Sequence, residues 1–357
     1  MSEVKAPFRK WVYPVAILGF ILFLLYLLSY GDLEGVASAL GTANLGFYAL
    51  AFGCVLGSIL FHTLAWRSML RSLSVETKFQ KVFSLSLVGN FVDALVPGAW
   101  AGDIFKAYLL SKDQDVNGTK VAASIVLKNV TELLITVTAL VTGIILLALN
   151  YTLDGGIMLT LGTVMFLMAL PLLIVIYLSV NLKATVRLVE WCKRVSARIR
   201  VKPAEHAAIG AKLRNQLQEF HDGILLMKTC PRKLARPMIF QVCSWLCDTM
   251  ALFAIFASLG YIVGPDKVVI TNTLVVGIQT QGVALAGFAQ MVSSTVYTVL
   301  GISPILAITS SLLAGISSFW FKMAVSYFAF HRTVFARRIP SLAPTGNGFV
   351  AENCVNE

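Results

Sequence analysis

Charged residues are scarce in this sequence. Only 13% of its 357 residues are Asp, Glu, Lys or Arg, whereas a soluble domain carries about 25%. Apolar residues make up 57% of the chain, and the mean hydropathy is +0.78. So much apolar surface needs lipid to cover it. The composition therefore excludes a soluble enzyme, a disordered chain and a disulfide scaffold.

Sequence motifs of catalysis are also missing. The chain contains no P-loop, no nucleophile elbow and no Gly-rich dinucleotide fingerprint. Its six cysteines are scattered, and none is paired at metal-ligand spacing. We therefore predict no catalytic residue, no metal, no cofactor and no enzymatic activity.

Acidic residues are outnumbered by basic ones. The chain has 18 Asp and Glu against 29 Lys and Arg, which gives a net charge of +11. Such an excess occurs in proteins that bind nucleic acid, but also in the cytoplasmic loops of polytopic membrane proteins. The positions of the basic residues distinguish the two.

Long apolar runs are abundant, and runs of about 20 residues predict transmembrane helices. The first run follows basic residues but lacks a small-residue cleavage site, so we interpret it as an uncleaved anchor rather than a signal peptide. The six predicted spans are Val12–Tyr30, Leu45–Trp66, Val121–Leu149, Gly156–Val180, Pro237–Tyr261 and Pro304–Phe330.

Two further apolar segments, Val82–Leu110 and Val268–Gly301, are interrupted near their middles by Pro, Gly and amide residues. A lipid-facing helix would not carry so many helix breakers. Non-helical backbone at membrane depth must be buried in protein or line a wet cavity. We therefore predict that both segments are re-entrant helical hairpins.

The basic residues fit this topology. With a cytoplasmic N-terminus, six spans and hairpins that return to their own side, 26 of the 29 basic residues fall in cytoplasmic segments. This positive-inside pattern accounts for the net charge without nucleic acid. We expect a multi-pass protein of the cell membrane with both termini cytoplasmic.

Two segments lie outside the predicted membrane region. The basic connector 181–236 has apolar residues at helical spacing, which fits either an amphipathic helix on the inner leaflet or an ordinary solvated connector. The tail 339–357 is predicted to be disordered. We expect residues 1–338 to form a single transmembrane domain.

The two interrupted segments have similar surroundings, since each is followed by a long span. The repeats cover about 82–149 and 268–331, and three full spans lie between their hairpins. An odd number of spans makes the repeats enter from opposite sides, as in transporters whose binding site lies at the midplane. The predicted fold is all-α and polytopic, with six full transmembrane helices and two re-entrant hairpins arranged as inverted repeats.

Ionisable residues inside a membrane are costly and are functional candidates by default. In the functional interpretation, Lys106 and Lys128 bind a lipid phosphate, and nearby carboxylates balance the charge or carry a proton. The alternative is that Asp103 pairs with Lys106, and Lys128 with Glu132, to hold hairpin and span together. The substrate-binding candidates are Asn90, Asp93, Gly98, Gly102, Asp103, Lys106, Lys128, Glu132 and Gln290.

Other polar residues are secondary candidates. Asp248 shares a possible polar stripe with Gln241 and Ser244, or it makes interhelical hydrogen bonds. Lys322 lies near the predicted inner end of the last span, where a lysine can extend its ammonium group to the interface. The secondary set is Asp248, Gln279, Gln281 and Lys322.

Several short motifs resemble those of the lysylphosphatidylglycerol synthase transmembrane-region family of flippase-like proteins. They are Gly89-Asn90, Val96-Pro97-Gly98, Ala101-Gly102-Asp103 with Lys106, and Gly287-Phe288-Ala289-Gln290. The family usually has Arg where Lys106 stands and Glu where Gln290 stands. Members with synthase activity carry a large soluble C-terminal domain, so aminoacyl transfer is not implied for this chain.

The resemblance implies translocation of an anionic lipid, either a phospholipid or a polyprenyl-phosphate carrier. We expect the headgroup phosphate to bind at the midplane between the hairpins. The alternative is a non-transporting membrane partner that presents lipid to a glycosyltransferase or a lipid-modifying synthase.

Overall fold

The computed structural model describes residues 33–95, 101–112, 118–151, 231–280 and 287–335, with scattered positions between 155 and 187. The described residues form helices and contain no strand. The helices are α1 (Leu33–Gly41), α2 (Leu45–Ser72), α3 (Phe79–Leu95), α4 (Ala101–Ser111), α5 (Gly118–Asn150), α6 (Pro231–Ser258), α7 (Pro265–Thr280), α8 (Phe288–Val299), α9 (Pro304–Gly315) and α10 (Phe321–Phe330). A π-helical turn, Ile316–Trp320, joins α9 to α10.

Four described helices are long and apolar enough to cross a membrane. They are Leu45–Ser72, Lys120–Asn150, Leu234–Ser258 and Pro304–Thr333. Each matches a predicted span within a few residues, and each exposes large apolar side chains, as a lipid-facing helix does. The chain is therefore a multi-pass helical membrane protein.

Other predicted segments lie outside the described residues. These are the spans Val12–Tyr30 and most of Gly156–Val180, the connector up to residue 230, and the tail 339–357. The breaks 96–100 and 281–286 between the paired short helices also lie outside.

Helices α2 and α6 run antiparallel along their whole lengths. At one end the Asn44 amide donates to the Ser258 carbonyl at 2.7 Å, and further along Phe61 stacks on Phe240. Between them Gly57 lies against Cys247, so small side chains bring the two helix axes close together. This pair is the central contact of the described bundle.

The first pair of short helices, α3 and α4, forms an antiparallel helical hairpin. Gly89 on α3 touches Gly102 on α4, although a continuous helix would place them about 20 Å apart. At the open end, Val82 and Leu110 share a buried cluster with Leu70 of α2. Helices α3 and α4 therefore run in opposite directions.

The second pair, α7 and α8, reverses in the same way. Lys267 at the start of α7 lies beside Gly301, just after the end of α8. Val268 and Tyr297 are buried together with Phe256 near the end of α6. Tyr151 donates a hydrogen bond to Asp266 at this end. Burial together with the carboxylate raises the pKa of the Tyr151 hydroxyl, so the phenol keeps the proton that it donates.

The two hairpins enter the bundle from opposite ends. The base of the first lies at the C-terminal end of α2, and the base of the second lies at the C-terminal end of α6. Because α2 and α6 are antiparallel, these ends are opposite. The first helix of each hairpin also packs on the last helix of the other repeat. Helix α7 packs on α5, and α3 packs on α10. This exchange fits the predicted inverted repeat.

The contact between Gly89 and Gly102 leads to a stability prediction. A methyl group on Gly102 would overlap the Gly89 carbonyl oxygen, whereas nothing lies within 4 Å of a methyl group added at Gly53. We expect Gly102→Ala to destabilise the fold by about 1–3 kcal/mol, as overpacking does. Gly53→Ala should be neutral or stabilising, because alanine favours a helix. Thermal unfolding in detergent measures both, and equal melting temperatures would contradict the hairpin contact.

Candidate functional site

A polar cavity of about 240 Å³ lies among α2, α3, α5, α6, α7 and α10. The lining residues of the four spanning-length helices all fall within two turns of the middle of their helix. The cavity therefore lies at mid-depth in an apolar bundle. Its polar lining consists of Ser58, His62, Asn90, Glu132, Thr136, Gln241, Ser244, Trp245, Asp248 and Lys322.

An ion pair crosses this cavity between α6 and α10. The Lys322 ammonium nitrogen lies 3.2 Å from Asp248 Oδ1, and the Ser58 hydroxyl donates to Asp248 Oδ2 at 2.7 Å. The two charged side chains keep 28% and 35% of their surface exposed. Lys322 is the only lysine or arginine among the described residues that line the cavity.

This pairing corrects the expectation that Lys322 reaches the membrane interface. Lys322 lies near the middle of the helix Pro304–Thr333, about 16 Å before its end. That distance is too long for a lysine side chain, and Asp248 offers a partner at the same depth. The ammonium group therefore points into the bundle.

A second charged cluster is built around Asp103 on α4. Its carboxylate pairs with Lys106 one turn later and with Lys128 on α5, whose nitrogen lies 3.0 Å from Oδ2. All three residues are at most 4% exposed. The Lys106 ammonium group also lies 4.7 Å from the centre of the Trp66 ring, which provides a cation–π contact.

The cluster fastens the first hairpin to α5. A carboxylate between two ammonium groups offsets the cost of burying them, and the pair Lys128–Glu132 at 3.3 Å balances the remaining charge. Both ion pairs of the alternative interpretation therefore form. Lys106 and Lys128 do not line either cavity, and Asp103 already occupies their ammonium groups.

Glu132 connects the buried cluster with the first cavity. Its carboxylate contacts Lys128 on one side, and 38% of its side chain is exposed on the cavity side. A charge brought near Glu132 would therefore change the electrostatic interactions of Lys128 and Asp103, which hold the first hairpin on α5.

Asp93 supports the restart of the helix after the first break. Its Oδ1 accepts a hydrogen bond from the Gly102 amide at 2.6 Å. A carboxylate at a helix N-terminus pairs an amide that the helix itself leaves free and interacts favourably with the helix dipole. Gly102 leaves room for both Asp93 and Gly89.

A second cavity, of about 160 Å³, lies between the second hairpin and the last spanning helix. It shares Asp248, Val276 and Lys322 with the first cavity, so the ion pair stands at their junction. Gln290 packs directly against Gly315, one residue before the π-helical turn. The other polar lining residues are Thr271, Asn272, Gln279, Ser293, Tyr297, Ser311 and Ser318.

The predicted site residues fall into three groups. Asp93, Gly102, Asp103, Lys106 and Lys128 lie together at the first hairpin. Asn90, Glu132, Asp248 and Lys322 line the first cavity, while Asp248, Lys322, Gln279 and Gln290 line the second. Gly98 and Gln281 lie outside the described residues.

Sequence reasoning missed part of both linings. Ser58 and His62 lie four residues apart on one face of α2, a spacing that could have indicated a polar stripe in an apolar span. Ser311 and Ser318 gave no signal, because small hydroxyl residues are common in membrane helices.

No group of three His, Cys, Asp or Glu side chains within the described part of the chain is placed to hold a metal ion. What the geometry offers is hydrogen-bond donors, one ammonium group and two carboxylates at mid-depth. These groups can recognise a polar or charged group that enters the bundle.

The fold and the site define a polytopic helical membrane protein with a polar centre. Comparison with known proteins gives the family. The sequence profile of the lysylphosphatidylglycerol synthase TM region matches residues 11–326, and the chain belongs to this family.

Relatives include three UPF0104 membrane proteins of archaea. The protein of Pyrococcus horikoshii is 24% identical over 324 residues, which cover 86% of this chain and 93% of the relative. The protein of Methanocaldococcus jannaschii is 24% identical over 316 residues, with 86% and 91% covered. That of Methanothermobacter thermautotrophicus is 22% identical over 267 residues, with 74% and 78% covered.

The buried cluster leads to a second prediction. Asp103→Asn leaves the buried Lys106 ammonium group without its ion-pair partner and Lys128 with Glu132 alone, which should cost about 3–5 kcal/mol. Glu132→Gln removes a half-exposed carboxylate from the same lysine and should cost at most about 1 kcal/mol. Thermal unfolding in detergent compares the two variants.

The double variant Asp103→Asn/Lys106→Met serves as the control. It removes the uncompensated Lys106 ammonium group and should recover part of the lost stability. An Asp103→Asn protein as stable as Glu132→Gln would show that the cluster does not hold the hairpin.

Proposed function

We propose that this protein translocates an anionic lipid, either a phospholipid or a polyprenyl-phosphate-linked lipid, across the membrane. The observation that carries the proposal is a polar cavity containing a lysine, at the middle of four helices of spanning length. Ionisable groups at this depth are costly, and they commonly mark the pathway of a substrate or an ion. The lipid keeps its covalent structure, and its tails remain in the bilayer while the headgroup crosses.

Lys322 is the proposed phosphate ligand. It is half-buried and lies within reach of both cavities, whereas Lys106 and Lys128 are held by Asp103. Asn90 and Gln241 can add neutral amide donors from the same lining. A phosphate held by one ammonium group and several amides binds reversibly, as transport requires.

Asp248 is the proposed partner of Lys322 when no lipid is bound. An unpaired ammonium group at mid-depth is unfavourable, and the carboxylate prevents that state. When the phosphate takes the ammonium group, Ser58 continues to donate to Asp248. Lys322 therefore exchanges one anionic partner for another, while Asp248 keeps the hydrogen bond from Ser58.

The two hairpins are proposed to be re-entrant. Helices α3 and α7 are about 25 Å long and their partners about 16–18 Å, which is shorter than a hydrocarbon core of about 30 Å. Because the hairpins enter from opposite ends, each provides a polar route from one side toward the middle. Alternating access would then arise from movement of one repeat against the other.

The proposed orientation places the base of the first hairpin in the cytoplasm. Arg71, Lys78 and Lys112 lie at that end, whereas Glu34 and Asp266 lie at the opposite end. In a cysteine-free variant, Thr42→Cys should react with an impermeant maleimide added to intact cells. Glu76→Cys should react only after the membrane is permeabilised. The reverse labelling pattern would contradict the orientation.

The central prediction concerns Lys322. Proteoliposomes with fluorescent anionic lipids report translocation by the loss of fluorescence on external dithionite. We expect Lys322→Gln to lower the translocation rate at least tenfold, because it removes the cation of the cavity. The matched control is Lys267→Gln, which alters a lysine at the end of the bundle, outside both cavities.

Three outcomes of this assay are informative. Full activity of Lys322→Gln would contradict the role of Lys322. Equal loss in Lys267→Gln would show a general effect of lost positive charge. Inactive wild-type protein that still binds anionic lipid would favour a non-transporting partner that presents lipid to a glycosyltransferase or synthase.

A further inference from the structure

A histidine lies within a helix of spanning length and lines the first cavity. His62 is on α2, one helical turn from Ser58, so the two side chains project from the same face. Ser58 donates a hydrogen bond to Asp248, and Asp248 pairs with Lys322. The imidazole therefore shares its cavity with the proposed phosphate ligand.

Three other titratable side chains line this cavity together with His62. Glu132 comes from α5, Asp248 from α6 and Lys322 from α10. Helices α3 and α7 contribute an amide and a valine, which do not titrate. The buried cluster of Asp103 with its two lysines lies outside the lining but acts on the imidazole through its charges. The protonation of His62 is therefore coupled to every charge around the cavity.

The charged groups around the two sites already balance one another. Three carboxylates and three ammonium groups form ion pairs, namely Asp103, Glu132 and Asp248 with Lys106, Lys128 and Lys322. Asp93 adds a fourth carboxylate, which accepts a hydrogen bond from the Gly102 amide. In this part of the described bundle, no ammonium group is left over to balance an incoming anion.

A bound phosphate diester would disturb this balance. It brings one negative charge into the cavity, and it draws the Lys322 ammonium group away from Asp248. An uncompensated charge inside a membrane is costly. One added proton restores the balance, and histidine is the side chain whose ordinary pKa lies nearest neutrality. Histidines inside membrane bundles also serve in the proton relays of pumps and transporters.

The cavity provides room for a proton to reach His62. It measures about 240 Å³, and a water molecule occupies roughly 30 Å³ of liquid volume, so several water molecules fit. A neutral imidazole has one ring nitrogen with a free lone pair. When this nitrogen takes a proton, an N–H bond forms on the ring and an O–H bond of hydronium breaks. The same bond exchange runs backwards when the proton leaves.

We propose that His62 is a proton-binding site and that the protein carries one proton across the membrane with each anionic lipid. This inference rests on the proposed function, because the proton accompanies the lipid phosphate. The imidazole is neutral in the empty cavity and protonated when a phosphate is bound at Lys322. The loaded and the empty protein then carry the same net charge.

Binding of phosphatidylglycerol to the purified protein in detergent tests the proposal without requiring transport. The phosphate diester of this lipid does not titrate near neutral pH, so a pH dependence comes from the protein. In weakly buffered solution with a pH indicator, we expect about one proton to be taken up per bound lipid. By linkage, the affinity should fall about tenfold for each pH unit above neutrality. Wild-type protein that takes up no proton, whether or not it binds the lipid, would overturn the proposal.

Replacement of the imidazole assigns the proton to a residue. His62→Gln should abolish the proton uptake and leave a weak affinity that does not depend on pH. His331→Gln is the matched control and should keep the uptake, because His331 follows α10 and lines neither cavity. His62→Asn provides a second variant, and thermal unfolding shows which variants are folded. Proton uptake that persists in either folded His62 variant would contradict the role of His62.

The proposed function fails in a different way. In proteoliposomes, a pH difference of one unit should enrich fluorescent phosphatidylglycerol about tenfold in the leaflet on the alkaline side, relative to protein-free vesicles. Protein that takes up a proton with the lipid but moves no lipid would contradict translocation and leave the proton site intact. Protein that moves the lipid without any response to the pH difference would contradict the proton coupling and leave translocation intact.

Discussion

The structure depends on how charges are compensated inside an apolar bundle. Asp103 lies between the ammonium groups of Lys106 and Lys128, and the three residues are almost fully buried. Any one of these groups alone would be too costly at this depth. Together they join the first hairpin to α5 and keep its helices in the bundle. Because this cluster is closed, its lysines are not free to bind a ligand, and the open ion pair Asp248–Lys322 becomes the chemically available one.

The ion pair Asp248–Lys322 lies where the two cavities of the bundle meet. Because α2 and α6 pack antiparallel, the two hairpins enter the bundle from opposite ends. The two cavities meet at Asp248 and Lys322. In the proposed function, this pair is where a headgroup crosses the bundle. The lysine can attract a phosphate, and the carboxylate can replace the phosphate after release.

Sequence patterns predicted the features of the structure that depend on local composition. Four spans, the two interrupted segments and the pairs Asp103–Lys106 and Lys128–Glu132 follow from hydropathy and from spacing along one helix. The partner of Lys322 does not, because Asp248 lies 74 residues away and meets it only through helix packing. The same holds for Lys128, which contacts Asp103 across two helices. The cavity linings combine residues from six elements each, and a spacing rule connects residues on one helix but not residues on different helices.

Binding of a lipid phosphate at Lys322 can be observed in a structure of the protein in lipid. Cryo-electron microscopy of the protein in nanodiscs that contain anionic lipid would locate bound headgroups. We expect phosphate density within hydrogen-bond distance of the Lys322 ammonium group, with the acyl tails directed into the bilayer. An empty cavity in saturating anionic lipid, with Lys322 still paired to Asp248, would contradict phosphate binding at Lys322.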